Sequence, residues 1–199
     1  MKIARLTLLC IGVLCTNSLF AQSNVSAPNA SARIRAFGQN GINIKMYTNA
    51  VCKKHYDKKI VLSGSFRQSL GSLFGVAKNQ TIGIPQTDTT RQIDRMRMLG
   101  SKPFYREYTI EAGKPITIEG GFQSAATPPP RKGGTYLTGY YCSKKPTGTF
   151  IPQPGKDYEV AMYVGHYCTL VINQVQSNGQ LTPVPVQRAP ESCDVGSKP

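Results

Sequence analysis

Apolar and polar residues alternate along much of the chain, in the period-two pattern of strands buried on one face. The pattern begins in ARIRAF and GINIKMYT, where Ile34, Ile42, Ile44 and Met46 alternate with polar neighbours. The intervening GQNG supplies glycines and an asparagine, which suit a tight turn. We therefore expect the first two strands to form a hairpin.

Strand-like segments return in the second half of the chain. FYREYTI and PITIEGGF flank a glycine turn, TYLTGYYC follows a proline-rich loop, and DYEVAMYV follows a Pro-Gly turn with Tyr158, Val160, Met162 and Val164 on one face. HYCTLVINQV then leads through QSNGQ to LTPVPVQ, whose two prolines restrict it to a sheet edge. Seven or eight short strands with little helix predict an antiparallel β-sandwich, with a small closed β-barrel as the alternative.

The strand pattern is interrupted between about residues 65 and 100. SFRQSLGSLFGVA spaces four apolar residues like one stripe of a short helix, and TRQIDRMRMLG is typical of one further basic helical turn. Because loops and insertions often carry binding residues, we expect this insertion to contact a partner. The predicted contact residues here are Phe66, Leu70, Leu73, Phe74, Arg91, Arg95 and Arg97. Contact of the apolar stripe with a membrane surface is the alternative.

The start of the chain has the three parts of a secretory signal peptide: a basic start, an apolar run and a small residue at position 21. We therefore expect a signal peptide at 1–21, a flexible leader at 22–31, one disulfide-stabilised domain at 32–193 and a tail at 194–199. This organisation predicts an exported protein of the periplasm, with secretion or the cell surface as alternatives.

The charge of the chain favours anionic partners without identifying one. The formal net charge is +14, and the chain after residue 21 keeps 22 basic against 10 acidic side chains, or +12. A positive field of this size attracts anionic surfaces. Because the basic residues are spread along the chain, ordinary solvated faces are the competing interpretation. No nucleic-acid-binding module is recognisable, so we expect a protein or an anionic envelope component as the partner.

Four cysteines follow the predicted signal peptide, and none belongs to a C-x-x-C pair that would indicate a metal or redox site. An even number of cysteines in an exported chain predicts two disulfides. If the last two strands form a hairpin, the chain after them returns toward Cys168. This path predicts a bond between Cys168 and Cys193 and leaves Cys52 for Cys142.

The segment NAVCKKHYDKK, residues 49–59, combines a cysteine and a histidine with four lysines. With Cys52 in a disulfide, no thiolate remains there to bind a metal. We therefore interpret the segment as a strand end followed by a surface loop. In that loop Lys53, Lys54, Lys58 and Lys59 face either an anionic partner or water.

Candidate catalytic groups are few. His55 and His166 are the two histidines of the chain, and they could serve a small basic secreted nuclease by acid–base chemistry. The chain has no G-x-S-x-G, H-E-x-x-H, P-loop or Rossmann glycine motif. Glu107 and Glu111 are expected to face solvent as partners of arginine and lysine. The residues therefore favour a non-enzymatic protein, and we expect no cofactor and no metal.

Four stretches of the chain resemble uncharacterised exported proteins of Gram-negative bacteria. They are ARIRAFGQNG, INIKMY, FYREYTIEAGKPITI and GTFIPQPGKDYEVAMY. The resemblance covers about Ala32 to Cys193; it implies a periplasmic location and carries no activity or functional residues. Together with the charge, it favours a binding or accessory protein, as in a secretion or envelope assembly. A toxin-neutralising immunity protein or enzyme inhibitor is one alternative, and the basic nuclease is another.

Overall fold

The computed structural model describes residues 30–50, 54–64, 77–96, 101–122, 142, 144–165 and 167–188. Nine strands form within these ranges. They are Ser31–Gly38 (β1), Ile42–Thr48 (β2), Lys58–Ser63 (β3), Phe104–Glu111 (β4), Ile116–Phe122 (β5), Thr147–Phe150 (β6), Asp157–Val164 (β7), Cys168–Val175 (β8) and Leu181–Pro183 (β9). The helical residues are Asp88–Arg91 (α1) and a 3₁₀ turn at Ile93–Met96.

The strands form two sheets packed face to face, which confirms the predicted β-sandwich rather than the barrel. Sheet A has the strand order β4-β1-β7-β8-β9, and sheet B has the order β3-β2-β5-β6. Among the pairs of named strands, β1 and β7 run parallel and the others run antiparallel. The core lies between the sheets, where Ile34, Ile44, Ile118 and Val160 are fully buried.

The predicted hairpin between β1 and β2 is wrong. The turn forms as expected, with Ile42 N donating to Gln39 O over 3.0 Å and Gly41 at a φ of 84°. However, β2 pairs with β3 and β5 in sheet B, whereas β1 pairs with β4 and β7 in sheet A. The turn therefore carries the chain from one sheet to the other. This path lets Ile34 and Ile44 face the same core from opposite sides.

Two other predictions about strands are confirmed. In β7, Tyr158, Val160 and Met162 belong to the core, and the intervening Glu159 lies on the opposite face of sheet A. The hairpin of β8 and β9 also forms, with Val175 opposite Leu181. β9 lies at the edge of sheet A, where proline does not interrupt a ladder.

A segment that we call the strap, residues 79–96, covers the outer face of sheet A. At its start, Gln80 pairs with Arg106 along the edge of β4. Near its end, Ile93 packs against Phe37 of β1 and Ala161 of β7. Under the strap, the outer face of sheet A is therefore a second buried layer rather than a solvated surface.

The basic helical turn predicted in TRQIDRMRMLG is present, but it begins earlier, at Asp88. Thr87 and Thr90 form a capping box, in which each side chain bonds the other residue's backbone N–H. No helix in the described ranges is long and apolar enough to cross a membrane. The predicted helix at 66–74, the predicted signal peptide and most of the predicted leader lie outside the described residues.

The predicted disulfide pairing is wrong. Cys168 is bonded to Cys142, with an S–S distance of 2.02 Å and 5.5 Å between the Cα atoms. As far as residue 188, the chain after β9 leads to sheet B, where Gln187 pairs with Thr149 at the β6 edge. Cys142 lies beside the end of β5, so the disulfide ties the start of β8 in sheet A to sheet B.

Peptide mapping under non-reducing conditions should recover Cys142 joined to Cys168. Among the four cysteines that follow the predicted signal peptide, this bond leaves Cys52 and Cys193, which lie outside the described residues, for a second bridge. Replacing Cys142 and Cys168 by serine should lower the free energy of unfolding by about 3 kcal/mol, since the two residues are 26 positions apart. Urea denaturation measures the loss, and a peptide joining Cys168 to Cys193 would contradict the structure.

Two glycines with a similar backbone provide a matched test of the strap contact. Gly179 has a φ of 81°, and a Cβ on it would collide with Gln86 O of the strap. Gly155 has a φ of 69°, but nothing lies within 4 Å of its Cβ position. We expect Gly155→Ala to cost about 1 to 2 kcal/mol through the left-handed backbone alone, and Gly179→Ala to cost more. Urea denaturation measures both losses of free energy of unfolding. Equal losses would show that the turn containing Gly179, between β8 and β9, does not contact the strap closely.

Candidate functional site

Three exposed lysines gather where the chain enters β3. Lys54 lies in the connection from β2, and Lys58 and Lys59 are the first two residues of the strand. The sequence pattern predicts a loop here, but residues 58–63 form an edge strand of sheet B. The strand forms because Ile60 and Leu62 both pack against the core between the sheets.

Backbone and ring contacts hold the described part of the connection before β3. Asp57 N donates to Thr48 O over 3.0 Å, and the rings of Tyr56 and Tyr47 meet edge to face at 5.1 Å between centroids. None of the three lysines forms an ion pair with another described residue. We call Lys54, Lys58 and Lys59 the basic cluster.

Only one of the two predicted catalytic histidines lies in the part of the chain that the structure describes. His55 is exposed beside the basic cluster, whereas His166 and Lys53 lie outside the described residues. No group of three or more metal-ligand side chains occurs among the residues described. The nuclease hypothesis therefore stays a prediction from the sequence.

A row of three buried charges crosses the outer face of sheet A. Glu107 of β4 and Glu159 of β7 lie directly opposite Arg35 of β1 in the strand register. Arg35 Nη2 is 2.7 Å from Glu107 Oε1, and Arg35 Nη1 is 3.1 Å from Glu159 Oε2. The predicted solvent exposure of Glu107 is wrong because the strap covers its side chain. Glu111 is exposed as predicted and pairs with Lys114 at 2.8 Å.

Glu107 anchors the first part of the strap through a single oxygen. Its Oε2 accepts hydrogen bonds from the backbone N–H groups of Ile82, Gly83 and Ile84, at 2.6, 3.1 and 3.2 Å. The hydroxyl of Thr81 donates to the same oxygen over 2.8 Å. Three successive N–H groups that converge on one oxygen form an anion-binding nest, and here the anion is the chain's own carboxylate.

The other two charges of the row hold the middle of the strap. Arg35 Nη2 donates to the carbonyl oxygens of Ile84 and Pro85, at 2.8 and 3.0 Å. Thr87 Oγ1 donates to Glu159 Oε2 over 2.7 Å. Every member of the row therefore bonds both to a neighbouring strand and to the strap.

The pKa of Glu107 reflects two opposing effects. Burial raises the pKa of this carboxyl, but hydrogen bonds from Ile82 N, Thr81 Oγ1, Arg35 and Ile84 N together outweigh burial. The pKa therefore lies below its ordinary value of 4.5. A carboxyl group of this kind stabilises the fold above its unfolded-state pKa, and this contribution is lost as the pH falls through the folded-state pKa.

The fold buries much of the chain's small supply of negative charge. Eight of the ten acidic residues lie in the described ranges, and four of these eight are buried and paired with cations. The pairs are Glu107 and Glu159 with Arg35, Asp157 with Arg33 at 2.7 Å, and Glu119 with Lys45 at 3.8 Å. Four carboxylates against three cations leave the rest of the chain one unit more positive than the formal +14. The four buried carboxylates are therefore not available to neutralise the exposed lysines.

Two other residues that the sequence predicts to contact a partner, Arg91 and Arg95, lie in the strap, which covers sheet A. Arg91 pairs with Asp88 at 2.7 Å, and Arg95 Nη1 bonds Gln92 Oε1 over 3.4 Å. A shallow pocket of about 240 Å³ lies beside them, lined by Asp88, Thr89, Gln92, Arg95, Met96 and Tyr163. Both arginines thus have partners within the strap, unlike the lysines of the basic cluster. Phe66, Leu70, Leu73, Phe74 and Arg97 lie outside the described residues.

Sequence reasoning missed the buried row, although a signal for it exists. Arg33 and Arg35 alternate with Ala32, Ile34 and Ala36, so two arginines occupy successive outward positions of one predicted strand. That pattern is also typical of a solvated strand face. The strap decides whether this strand face is buried or solvated. It is formed by residues more than 40 positions further along the chain, so the local pattern does not reveal it.

No protein-family model matches this chain, and no curated protein or solved structure matches it either. The resemblance to exported bacterial proteins therefore stays a prediction from the sequence. The geometry and charge of the described residues carry the functional argument.

Replacing Glu107 by glutamine tests the buried row against a control on the same strand. At pH 7 we expect Glu107→Gln to lower the free energy of unfolding by about 3 kcal/mol, because Arg35 then stays buried with one fewer carboxylate. The exposed control Glu111→Gln should change it by less than about 1 kcal/mol. Urea denaturation of each variant measures both effects.

The pH dependence of the same variants tests the lowered pKa of Glu107. The difference in free energy of unfolding between the unaltered protein and Glu107→Gln should have its largest value above the unfolded-state pKa of 4.5. It should shrink as the pH falls through the folded-state pKa of Glu107. Urea denaturation at several pH values measures this difference. A difference that stays constant between about pH 7 and pH 3 would contradict the lowered pKa of Glu107.

Proposed function

We propose that this protein is a non-catalytic binding protein that holds an acidic partner against the basic cluster. One observation carries the proposal: Lys54, Lys58 and Lys59 are exposed without an ion pair in the described chain, while four carboxylates are buried. Exposed like charges on one surface attract an oppositely charged partner and accelerate its association. In this proposal, the partner is an acidic protein or an anionic component of the cell envelope.

We also propose that the protein works outside the reducing cytosol, in the periplasm or after secretion. The Cys142–Cys168 disulfide supports this location, because such bonds persist in oxidising compartments. The signal-peptide pattern in residues 1–21 supports it as well. Acidic surfaces of envelope proteins and anionic lipid headgroups would both be accessible there.

Charge reversal of the basic cluster tests the proposed function. Immobilised poly-L-glutamate serves as the acidic probe, with affinity measured at two salt concentrations. We expect Lys54→Glu, Lys58→Glu and Lys59→Glu together to weaken binding at least about tenfold, since each exposed pair contributes up to about 1 kcal/mol. Binding of the unaltered protein should weaken as salt is added, because salt screens exposed charges.

A matched control separates the cluster from net charge. Lys144, Lys145 and Lys156 are also exposed, but none of them belongs to β3 or to the connection before it. Reversing these three lysines produces the same change in net charge, and we expect it to weaken binding less than reversal of the basic cluster. Equal effects of the two triple variants, or no effect of either, would contradict the proposed role of the cluster.

A further inference from the structure

The free edges of the sandwich differ in how they are covered. In sheet A, Gln80 of the strap pairs along β4, and β9 at the other edge is three residues long and ends at Pro183. In sheet B, Gln187 pairs with Thr149 at the edge of β6. Within the described ranges, no strand or bridge pairs with the outer edge of β3. An open edge presents unpaired backbone N–H and C=O groups that another strand can bond.

The open part of the β3 edge is short and well defined. At its carboxyl end, Leu62 O accepts a hydrogen bond from Tyr108 OH of β4 over 2.7 Å, which ties β3 to sheet A. Among the described residues, the backbone of Lys58 to Val61 is bonded only on the side of β2, where Thr48 Oγ1 also donates to Lys58 O over 3.4 Å. Two of these residues are lysines of the basic cluster, and Val61 is 41% exposed.

We propose that the edge of β3 from Lys58 to Val61 binds an extended acidic polypeptide segment, which adds as a further strand of sheet B. This inference rests on the proposed function, since the same lysines supply the charge. Strand addition provides affinity through main-chain hydrogen bonds and specificity through alternate side chains. It gives the basic cluster a defined ligand geometry, namely an extended strand with acidic side chains.

The positions of the lysines favour an acidic strand over other strands. Successive residues of a strand point to opposite faces, so Lys58 and Lys59 place one ammonium group on each side of the sheet edge. Lysine at an edge repels basic strands and discourages unspecific pairing. An acidic strand converts that repulsion into attraction, so the same two residues exclude wrong partners and select the right one.

Two other occupants fit the edge less well. A second copy of this chain brings the same formal charge of +14, and its acidic strand β7 is already paired on both edges, with β1 and β8, in sheet A. An anionic bilayer supplies negative charge, but it offers no regular row of backbone donors and acceptors to match the edge. The added acidic strand satisfies both the charges and the backbone groups.

Backbone-methylated peptides distinguish strand addition from charge attraction alone. The probe is an end-blocked heptapeptide of alternating glutamate and valine, compared with two versions that are N-methylated on every glutamate or on every valine. All three carry the same charge, but each methylated version loses the donors along one of its two edges. We expect one methylated version to bind at least about tenfold more weakly than the parent peptide and the other to bind like the parent. A tenfold loss corresponds to roughly 1.4 kcal/mol of main-chain hydrogen bonding.

The position of binding is measured by NMR on isotope-labelled full-length protein. Addition of the parent peptide should shift and protect the amides of Lys58 to Val61 more than those of β9. Reversal of Lys58 and Lys59 to glutamate should abolish the shifts, whereas reversal of Lys144 and Lys145 should leave them.

Each other outcome overturns strand addition in a distinguishable way. If both methylated peptides bind like the parent, charge alone drives binding, and the proposed function stands without strand addition. If neither the peptides nor poly-L-glutamate bind, the proposed function fails as well. Amide shifts at Lys58 to Val61 with phosphatidylglycerol vesicles but with no peptide would identify a membrane surface. Concentration-dependent dimerisation that protects the same amides without peptide would identify a second copy.

Discussion

Arg35 donates hydrogen bonds from all three nitrogens of its guanidinium, to carboxylates on both neighbouring strands and to two carbonyls of the strap. Removing three charged groups from water costs several kcal/mol per ion, and such a group is tolerated only when its hydrogen bonds are satisfied. Here the strap supplies the missing partners, since its N–H and O–H groups bond Glu107 and Glu159. Sheet A and the strap therefore require each other, and the buried row determines where the strap lies.

The same row links the fold to the proposed function. Because the interior takes up four carboxylates, few acidic side chains remain to neutralise the surface lysines. The strap also pairs with the edge of β4 at Arg106, whereas no described strand or bridge pairs with the outer edge of β3. Burial of carboxylates in the interior and exposure of lysine at the edge of sheet B together favour an acidic partner at β3.

Local patterns in the sequence predicted the features that depend on neighbouring residues. The alternation in β7, the hairpin of β8 and β9 and the edge position of β9 all follow from spacing, turn residues and proline. The sandwich class follows from the number of such segments. The exposure of Lys54, Lys58 and Lys59 was likewise predictable, because lysine is rarely buried without a partner.

Features that depend on which sheet a strand joins could not be predicted in the same way. The turn after β1 has the residues of a hairpin turn, yet it connects two sheets, because each flanking strand finds partners far along the chain. The Cys142–Cys168 bond depends on the end of β5 and the start of β8 lying close together in different sheets. The burial of Glu107 depends on the strap. Each of these is a contact between residues distant in sequence, for which period-two alternation provides no signal. Amide hydrogen exchange at Ile82, Gly83 and Ile84 tests most directly whether the buried row holds the strap, since all three N–H groups donate to Glu107 Oε2. At pH 7 we expect them to exchange as slowly as the amides of β1, and to lose that protection in Glu107→Gln while β8 keeps its own. Exchange of these three amides at the rate of an unprotected loop in the unaltered protein would contradict the central role of the row.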